Sequence, residues 1–126
     1  MPSSYRDLEI HADAMRVYSK IHRLTKKLPK YETYELGSQT RRASDSIITN
    51  IVEGYGRKNY RAVFLRFLRI AHASSLELEC HLEKMSVIHE DLSAEAIELM
   101  KETNLLSRRI YHFIRYADKN WRSASH

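Results

Sequence analysis

Apolar residues recur at alternating intervals of three and four along four stretches of the chain, which places them on one side of an α-helix. The four stretches predict helices over about residues 5–28, 38–53, 60–89 and 94–119. Only three glycines and two prolines occur, which argues against a turn-rich β fold and against disorder. With mostly short connections, the pattern predicts one domain, residues 1–126, folded as an all-α antiparallel up-down-up-down four-helix bundle.

Helix ends are predicted from residues that favour caps. Ser38 is an N-cap candidate for the second helix, Gly54 is placed as its C-cap glycine, and Asn59 is a cap candidate for the third. The tail over residues 120–126 is predicted to fray.

Composition limits the class of protein. The chain is 43% hydrophobic with a formal net charge of +5, so it can bury a core and remain soluble, and its charge permits a nucleic-acid partner without requiring one. No apolar run approaches the roughly 20 residues of a membrane span. The N-terminus lacks the apolar segment of a signal peptide, and Cys80 is the single cysteine, so we expect a cytoplasmic protein with no membrane partner.

Charge is unevenly distributed along the predicted helices. No acid lies between Glu53 and Glu77, and the start of the third helix is basic although a helix N-terminus disfavours cations. We therefore consider phosphate contacts there, with a simple solvated surface as the alternative. The nucleic-acid-binding candidates are Arg57, Lys58, Arg61 and Arg66, with Arg41 as a further basic candidate.

The stretch Glu77–Glu102 is acidic, with eight acids and two bases, and the first helix carries a line of bases along one flank. Both features complement helix dipoles and are typical of solvated faces. They also allow a second function, that of a protein–protein adaptor with no nucleic-acid binding.

The sequence offers no arrangement typical of an active site. A di-metal carboxylate site in a bundle needs Glu-x-x-His pairs, and none occurs. Cys80 has only His81 beside it, which on a helix points elsewhere. We therefore predict no enzymatic activity, no cofactor and no metal.

A polar stripe follows one side of the second helix, roughly 100° from its apolar line. Its amides, guanidinium, hydroxyl and carboxylate favour a partner-facing surface or an internal network, because buried polar groups need partners, while a solvated face stays possible as the alternative. The stripe consists of Gln39, Arg42, Ser46, Asn50 and Glu53, and Gly54 and Gly56 follow it.

The run Q-x-R-R-A-x-x-S-I-x-x-N-I-x-E-G-x-G-R, from Gln39 to Arg57, resembles the signature of small bacterial four-helix-bundle proteins first recognised as reading frames within intervening sequences of 23S ribosomal RNA genes. Further segments resemble the same family, and the likeness covers nearly the whole chain. These segments are Tyr5–Leu8, Leu28–Leu36, Phe67–Ala71 and Glu77–Glu79. The chain departs from the family pattern at Ala73, where a glycine is usual.

The resemblance implies a homo-oligomer, because members of this family form pentamers. It also implies an association with nucleic acid, because a related branch, the accessory proteins of diversity-generating retroelements, binds a reverse transcriptase and nucleic acid through a basic surface. RNA is the nucleic acid that we expect.

Overall fold

The computed structural model describes residues 3–123, and every regular element in that range is helical. Three single 3-10 turns, Tyr5–Asp7, Lys30–Glu32 and Glu90–Leu92, lie before the first helix and in two of the links. The predicted all-α four-helix bundle is confirmed. Its helices are α1 (Glu9–Thr25), α2 (Leu36–Tyr55), α3 (Arg61–Ile88) and α4 (Ser93–Asn120).

Neighbouring helices run antiparallel. Lys27 contacts Glu95 whereas Asp13 contacts Arg109, so residue numbers rise along α1 as they fall along α4. The same reversal relates α2 to α3, where Ser46 contacts Ser74 and Gly54 lies against Phe67, and it relates α3 to α4. We call the end that carries residues 26–35 and 89–92 the upper end, and the end that carries residues 56–60 the lower end.

The predicted apolar lines of α1 and α2 lie in the core, whereas those predicted for the third and fourth helices are only partly buried, since they included Tyr60 and Ile97, which are exposed. All six apolar positions predicted for the first helix are buried, as are the three predicted for the second. They are Ile10, Ala14, Val17, Ile21, Leu24 and Leu28, and Ala43, Ile47 and Ile51. The core also contains one threonine each from α1, α2 and α4, and every one of these hydroxyls donates to the carbonyl four residues earlier. The bundle therefore buries these hydroxyls with their hydrogen bonds made. These residues are Thr25, Thr40 and Thr103.

Two capping predictions for α2 are wrong. The helix begins at Leu36, because that side chain is buried in the core, and Ser38 therefore lies within the first turn. Gly54 lies inside the helix, which continues to Tyr55, and Gly56 follows with an ordinary φ of −61°. Gly54 serves close packing, since a Cβ on it would lie 2.9 Å from the Cβ of Phe67 on α3.

The ends of α1 and α3 also differ from prediction. The predicted first helix divides into a 3-10 turn and α1, because Leu8 between them has an extended backbone with ψ of 125°. The residue that precedes α3 is Tyr60 rather than Asn59, and its side chain makes no capping hydrogen bond within the described residues. The hydroxyl of Ser123, beyond the end of α4, instead accepts from the first N–H of α3, that of Arg61, at 3.0 Å.

The tail does not begin to fray at residue 120. Trp121 is only 6% exposed, and its ring contacts Phe64 and Phe113 at centroid distances of 4.8 and 6.2 Å. Its indole Nε1 donates to the carbonyl of Lys58 at 3.0 Å. The side chain therefore fixes the end of α4 to the turn between α2 and α3. Residues 124–126 of the predicted tail lie outside the described residues.

Candidate nucleic-acid interface

The central part of the polar stripe joins α2 to α3. The hydroxyls of Ser46 and Ser74 lie 2.8 Å apart. Asn50 donates its amide to the Ser46 carbonyl at 2.8 Å and to the Ser46 hydroxyl at 3.0 Å. These three half-buried or buried groups form one small hydrogen-bonded network between the helices.

The other three members of the stripe point outward. Gln39, Arg42 and Glu53 are exposed, and their side chains make no hydrogen bond or ion pair within residues 3–123. The stripe is thus divided into an internal pair and an exposed group, and a role for the exposed group between subunits stays a prediction.

The two candidates that follow Gly56, Arg57 and Lys58, contact other residues of the same chain. Arg57 donates to the Glu53 carbonyl at 2.9 Å, and its guanidinium lies 4.9 Å from the centre of the Phe67 ring. The ammonium of Lys58 lies 3.9 Å from the centre of the Tyr55 ring. Their charges are not neutralised by these contacts, because the partners are a carbonyl and two aromatic rings.

Arg61 and Arg41 serve structural contacts. Arg61 forms an ion pair with Asp118 at 2.6 Å, which joins the start of α3 to the end of α4. Arg41 donates to the Thr33 carbonyl at 2.8 Å and so supports the link before α2. Arg66, in contrast, is exposed and makes no hydrogen bond or ion pair within the described part of the chain.

A second basic group, whose members are not among the nucleic-acid-binding candidates named from the sequence, lies between α3 and α4. The ring of Tyr111 contacts His72 at 6.0 Å, and the Arg115 guanidinium lies 6.0 Å from the centre of the Tyr111 ring. Arg108 lies one turn before Tyr111, and Arg69 lies one turn before His72. We call these five residues the Tyr111 patch.

The spacing of the α4 members was the signal that could have found this patch. Arg108, Tyr111 and Arg115 follow one another at steps of three and four, which places them on one helix face. The partner residues on α3 are about 40 positions away in sequence, so only the antiparallel packing of α3 on α4 brings the two groups together.

The upper halves of α3 and α4 are acidic. The stretch Glu77–Glu102 carries eight acids and two bases, and its α4 part pairs with the basic flank of α1. Lys27 contacts Glu95 at 2.6 Å, and Lys20 contacts Glu102. The flank is therefore partly neutralised by α4.

Asp13 is a buried carboxylate on the same helix interface. It accepts from Arg109 at 2.8 Å and from Arg16 in its own helix. Nearby in sequence, His11 packs edge-on against Tyr5 with ring centroids 5.0 Å apart. Burial, together with the charge of Arg6, lowers the pKa of His11 below its ordinary value of 6.5. These groups fix the start of α1 and lie apart from the Tyr111 patch.

A metal site and a membrane-spanning helix are two further features on which a function could depend. Within residues 3–123, no three His, Cys, Asp or Glu side chains are grouped so that they could hold a metal ion. None of the described helices combines the length and the apolar character that crossing a membrane requires.

Comparison with known proteins identifies the family. The family model described as 23S rRNA-intervening sequence protein matches residues 6–112, which is most of the chain. The matched range includes the whole polar stripe and all five nucleic-acid-binding candidates. A comparison with curated proteins gave no match. On the strength of the family match, the chain belongs to the 23S rRNA-intervening sequence protein family.

Proposed function

We propose that this protein is a non-enzymatic homo-oligomer that binds RNA through the lower half of α3 and α4. The proposal has two parts, nucleic-acid binding and self-association, and each is supported by a different surface of the bundle. A cytoplasmic location is part of the same proposal.

The observation that carries RNA binding is the separation of charge along α3 and α4. Residues 54–76 and 103–123 contain ten Lys and Arg and a single acid, Asp118. The two segments run side by side in the lower half, whereas the excess acids lie in the upper half. A basic surface of this kind attracts the phosphates of a nucleic acid and releases bound counterions.

The arginines with the greatest freedom to contact phosphate are those without a partner in the chain. Arg66, Arg69 and Arg108 are exposed and form no hydrogen bond or ion pair within residues 3–123. Tyr111 adds an aromatic face, 45% exposed, on which an unpaired base can stack. Arg57 and Lys58 extend the surface toward the lower end, and Arg61 contributes least because Asp118 neutralises it.

Self-association is supported by the exposed part of the polar stripe. Gln39, Arg42 and Glu53 present an amide, a guanidinium and a carboxylate on the outer side of α2, which are groups that hydrogen-bond across subunit interfaces. The family resemblance implies five subunits. Repetition of the basic lower half in one assembly raises the affinity for a long RNA by avidity.

Salt dependence tests the RNA-binding part. We expect a mixed-sequence single-stranded RNA to bind with an affinity that falls steeply as salt rises. The double charge reversal Arg66→Glu with Arg69→Glu is expected to weaken binding and to reduce the slope of log K against log salt by roughly 0.7 for each phosphate that the variant no longer binds.

Lys84→Glu is the control, because Lys84 is an exposed lysine of α3 in the acidic half and has no ion pair within residues 3–123. It should leave the slope unchanged. If the control and the double reversal weaken binding equally per unit of charge, net charge alone explains the binding and the assigned surface is wrong.

Mass in solution tests the self-association part, and the measurement is repeated after nuclease treatment so that bound RNA is not mistaken for added subunits. We expect a mass of five chains that persists without RNA. Arg42→Ala with Glu53→Ala should lower the mass, whereas the control pair Lys26→Ala with Glu9→Ala should not. A single-chain mass for the unaltered protein contradicts the proposal.

A further inference from the structure

The large apolar side chains with the greatest exposure lie together at the upper end. Tyr34 is 83% exposed, Val87 78%, Tyr31 70% and Ile88 60%, and each exceeds every other large hydrophobic side chain in residues 3–123. If a fully exposed tyrosine presents roughly 200 Å², Tyr31 and Tyr34 alone expose about 300 Å². The largest apolar patch on a typical soluble protein is about 300–600 Å² and is often functional.

These side chains belong to two segments that the fold connects. Tyr31 and Tyr34 lie in the link between α1 and α2, whereas Val87 and Ile88 end α3. Between the segments, His89 and Glu32 form a buried contact of 2.7 Å, and the Tyr31 ring lies 6.4 Å from the ring of His89. The four exposed side chains therefore belong to two segments that this buried contact holds together.

The link has a second attachment on its other side. The guanidinium of Arg41 donates to the Thr33 carbonyl, and a Cβ on Gly37 would lie 2.9 Å from the Glu32 carbonyl oxygen. The backbone of α2 thus packs directly against the link. This surface is formed in the folded chain, so a partner that docks there pays little to order it.

The unpaired charges around the apolar side chains are more often negative than positive. Four exposed acids surround them, and none of these acids makes an ion pair within residues 3–123. Three exposed lysines without an ion pair in that range oppose them in part. The acids are Glu35, Glu83, Glu90 and Asp91, and the lysines are Lys26, Lys30 and Lys84.

We propose that the upper end is a docking surface for a protein segment that carries apolar side chains beside lysine or arginine. The apolar side chains would supply the buried contact, and the acids would attract and orient the basic partner. A nucleic acid fits this surface poorly because its phosphates would face the acids. The proposal does not rest on RNA binding, which uses the opposite half of the bundle.

The test uses a labelled amphipathic peptide of leucine and lysine, with leucines at helical spacing, and fluorescence anisotropy with the full chain. Two control peptides have glutamate in place of lysine, or the same composition in scrambled order. We expect the leucine–lysine peptide to bind at least tenfold more tightly than either control. Val87→Ser with Ile88→Ser should weaken that binding at least tenfold, and Glu90→Gln with Asp91→Asn should weaken it and reduce its salt dependence.

Leu105→Ser is the matched protein variant, since Leu105 is an exposed apolar residue of α4 away from the upper end. It should bind the peptide as the unaltered protein does. Because all the altered side chains are exposed, we expect each variant to keep the circular dichroism spectrum of the bundle.

Three results would overturn the proposal: no preference for the amphipathic peptide over its controls, equal weakening by Leu105→Ser, or a fall in the mass of the peptide-free protein on Val87→Ser with Ile88→Ser. The last result would assign the surface to a second copy of the chain. RNA affinity is measured on the same variants, and its retention distinguishes failure of this proposal from failure of RNA binding.

Discussion

Replacing each glycine of the run Gly54-Tyr55-Gly56 with alanine should give opposite results. At Gly54, alanine gains about 1 kcal/mol in helix propensity. Its Cβ, however, would lie 2.9 Å from the Cβ of Phe67 and 3.4 Å from the Phe64 carbonyl oxygen. Ordinary carbon–carbon contacts are about 3.5–4.0 Å, so α2 and α3 must separate by roughly 0.6–1 Å.

That separation determines the sign of the effect. The Cβ of Phe67 is fixed to the backbone of α3 and cannot rotate away, so the change behaves as overpacking, which costs about 1–3 kcal/mol. After the gain in propensity, Gly54→Ala should lower the free energy of unfolding by about 1 kcal/mol.

At Gly56 the geometry favours alanine. The φ of −61° suits any residue, and the nearest atom to a new Cβ is the Glu53 carbonyl oxygen at 3.5 Å. Gly56→Ala should therefore stabilise the protein by about 0.4–1 kcal/mol, because alanine restricts the unfolded chain. The two variants should differ by about 2 kcal/mol.

Urea denaturation followed by circular dichroism at 222 nm measures both free energies of unfolding. The two variants act as controls for each other, since each replaces a glycine with alanine and the two positions are only two residues apart. A Gly54→Ala variant as stable as Gly56→Ala would refute the claim that α2 and α3 meet at Gly54.

Three further predictions concern side chains at the two ends and the start of α1. Trp121→Ala should lower the free energy of unfolding by about 3–5 kcal/mol, since it removes a buried ring and a hydrogen bond to Lys58, whereas Trp121→Phe should lower it much less. Unfolding is followed by circular dichroism, because Trp121 is the single tryptophan and its fluorescence is lost in both variants. Glu32→Ala should cost about 1–3 kcal/mol in denaturation at pH 7, because His89 loses its only side-chain hydrogen-bond partner in residues 3–123. Stability should fall as the pH drops through 6.5, since the lowered pKa of His11 means that the unfolded chain binds that proton more readily.

Each of these predictions has a contradicting result. A cost below about 1 kcal/mol for Trp121→Ala would mean that the indole does not hold the lower end. Equal stability of the protein with and without Glu32→Ala would deny that the buried pair matters. His11→Asn should flatten the dependence of the unfolding free energy on pH between 7 and 5, and an unchanged profile would exclude His11 as its source.

The helices could be predicted because their apolar lines are local signals. Ile10, Val17 and Ile21 recur at helical spacing, and the same spacing places them in the core. The start of α2 was harder to predict from the sequence, because Ser38 has the local chemistry of a cap. The burial of Leu36, which depends on the assembled bundle, overrides that preference.

Contacts between residues far apart in sequence explain most of what the sequence did not reveal. Glu32 and His89 are separated by 57 positions, and nothing in either neighbourhood marks them as partners. Likewise, Arg61 has the sequence context of a phosphate ligand, yet the end of α4 brings Asp118 to it. Ser46 and Asn50 could be recognised as polar and aligned, but Ser74 was needed to show that their polar groups are used within one chain.

The aromatic side chains that close the lower end give the arginines above them a rigid support. Below Glu9, α1 is replaced by a single 3-10 turn, and the rings of Phe64, Phe113 and Trp121 fill the space beside α3 and α4. Arg66 and Arg69 therefore project from a stretch of helix that is packed on aromatic rings, rather than from a loop. On the protein side, a ligand at these two arginines would have to order their side chains but not the backbone, which is already fixed in the folded helix.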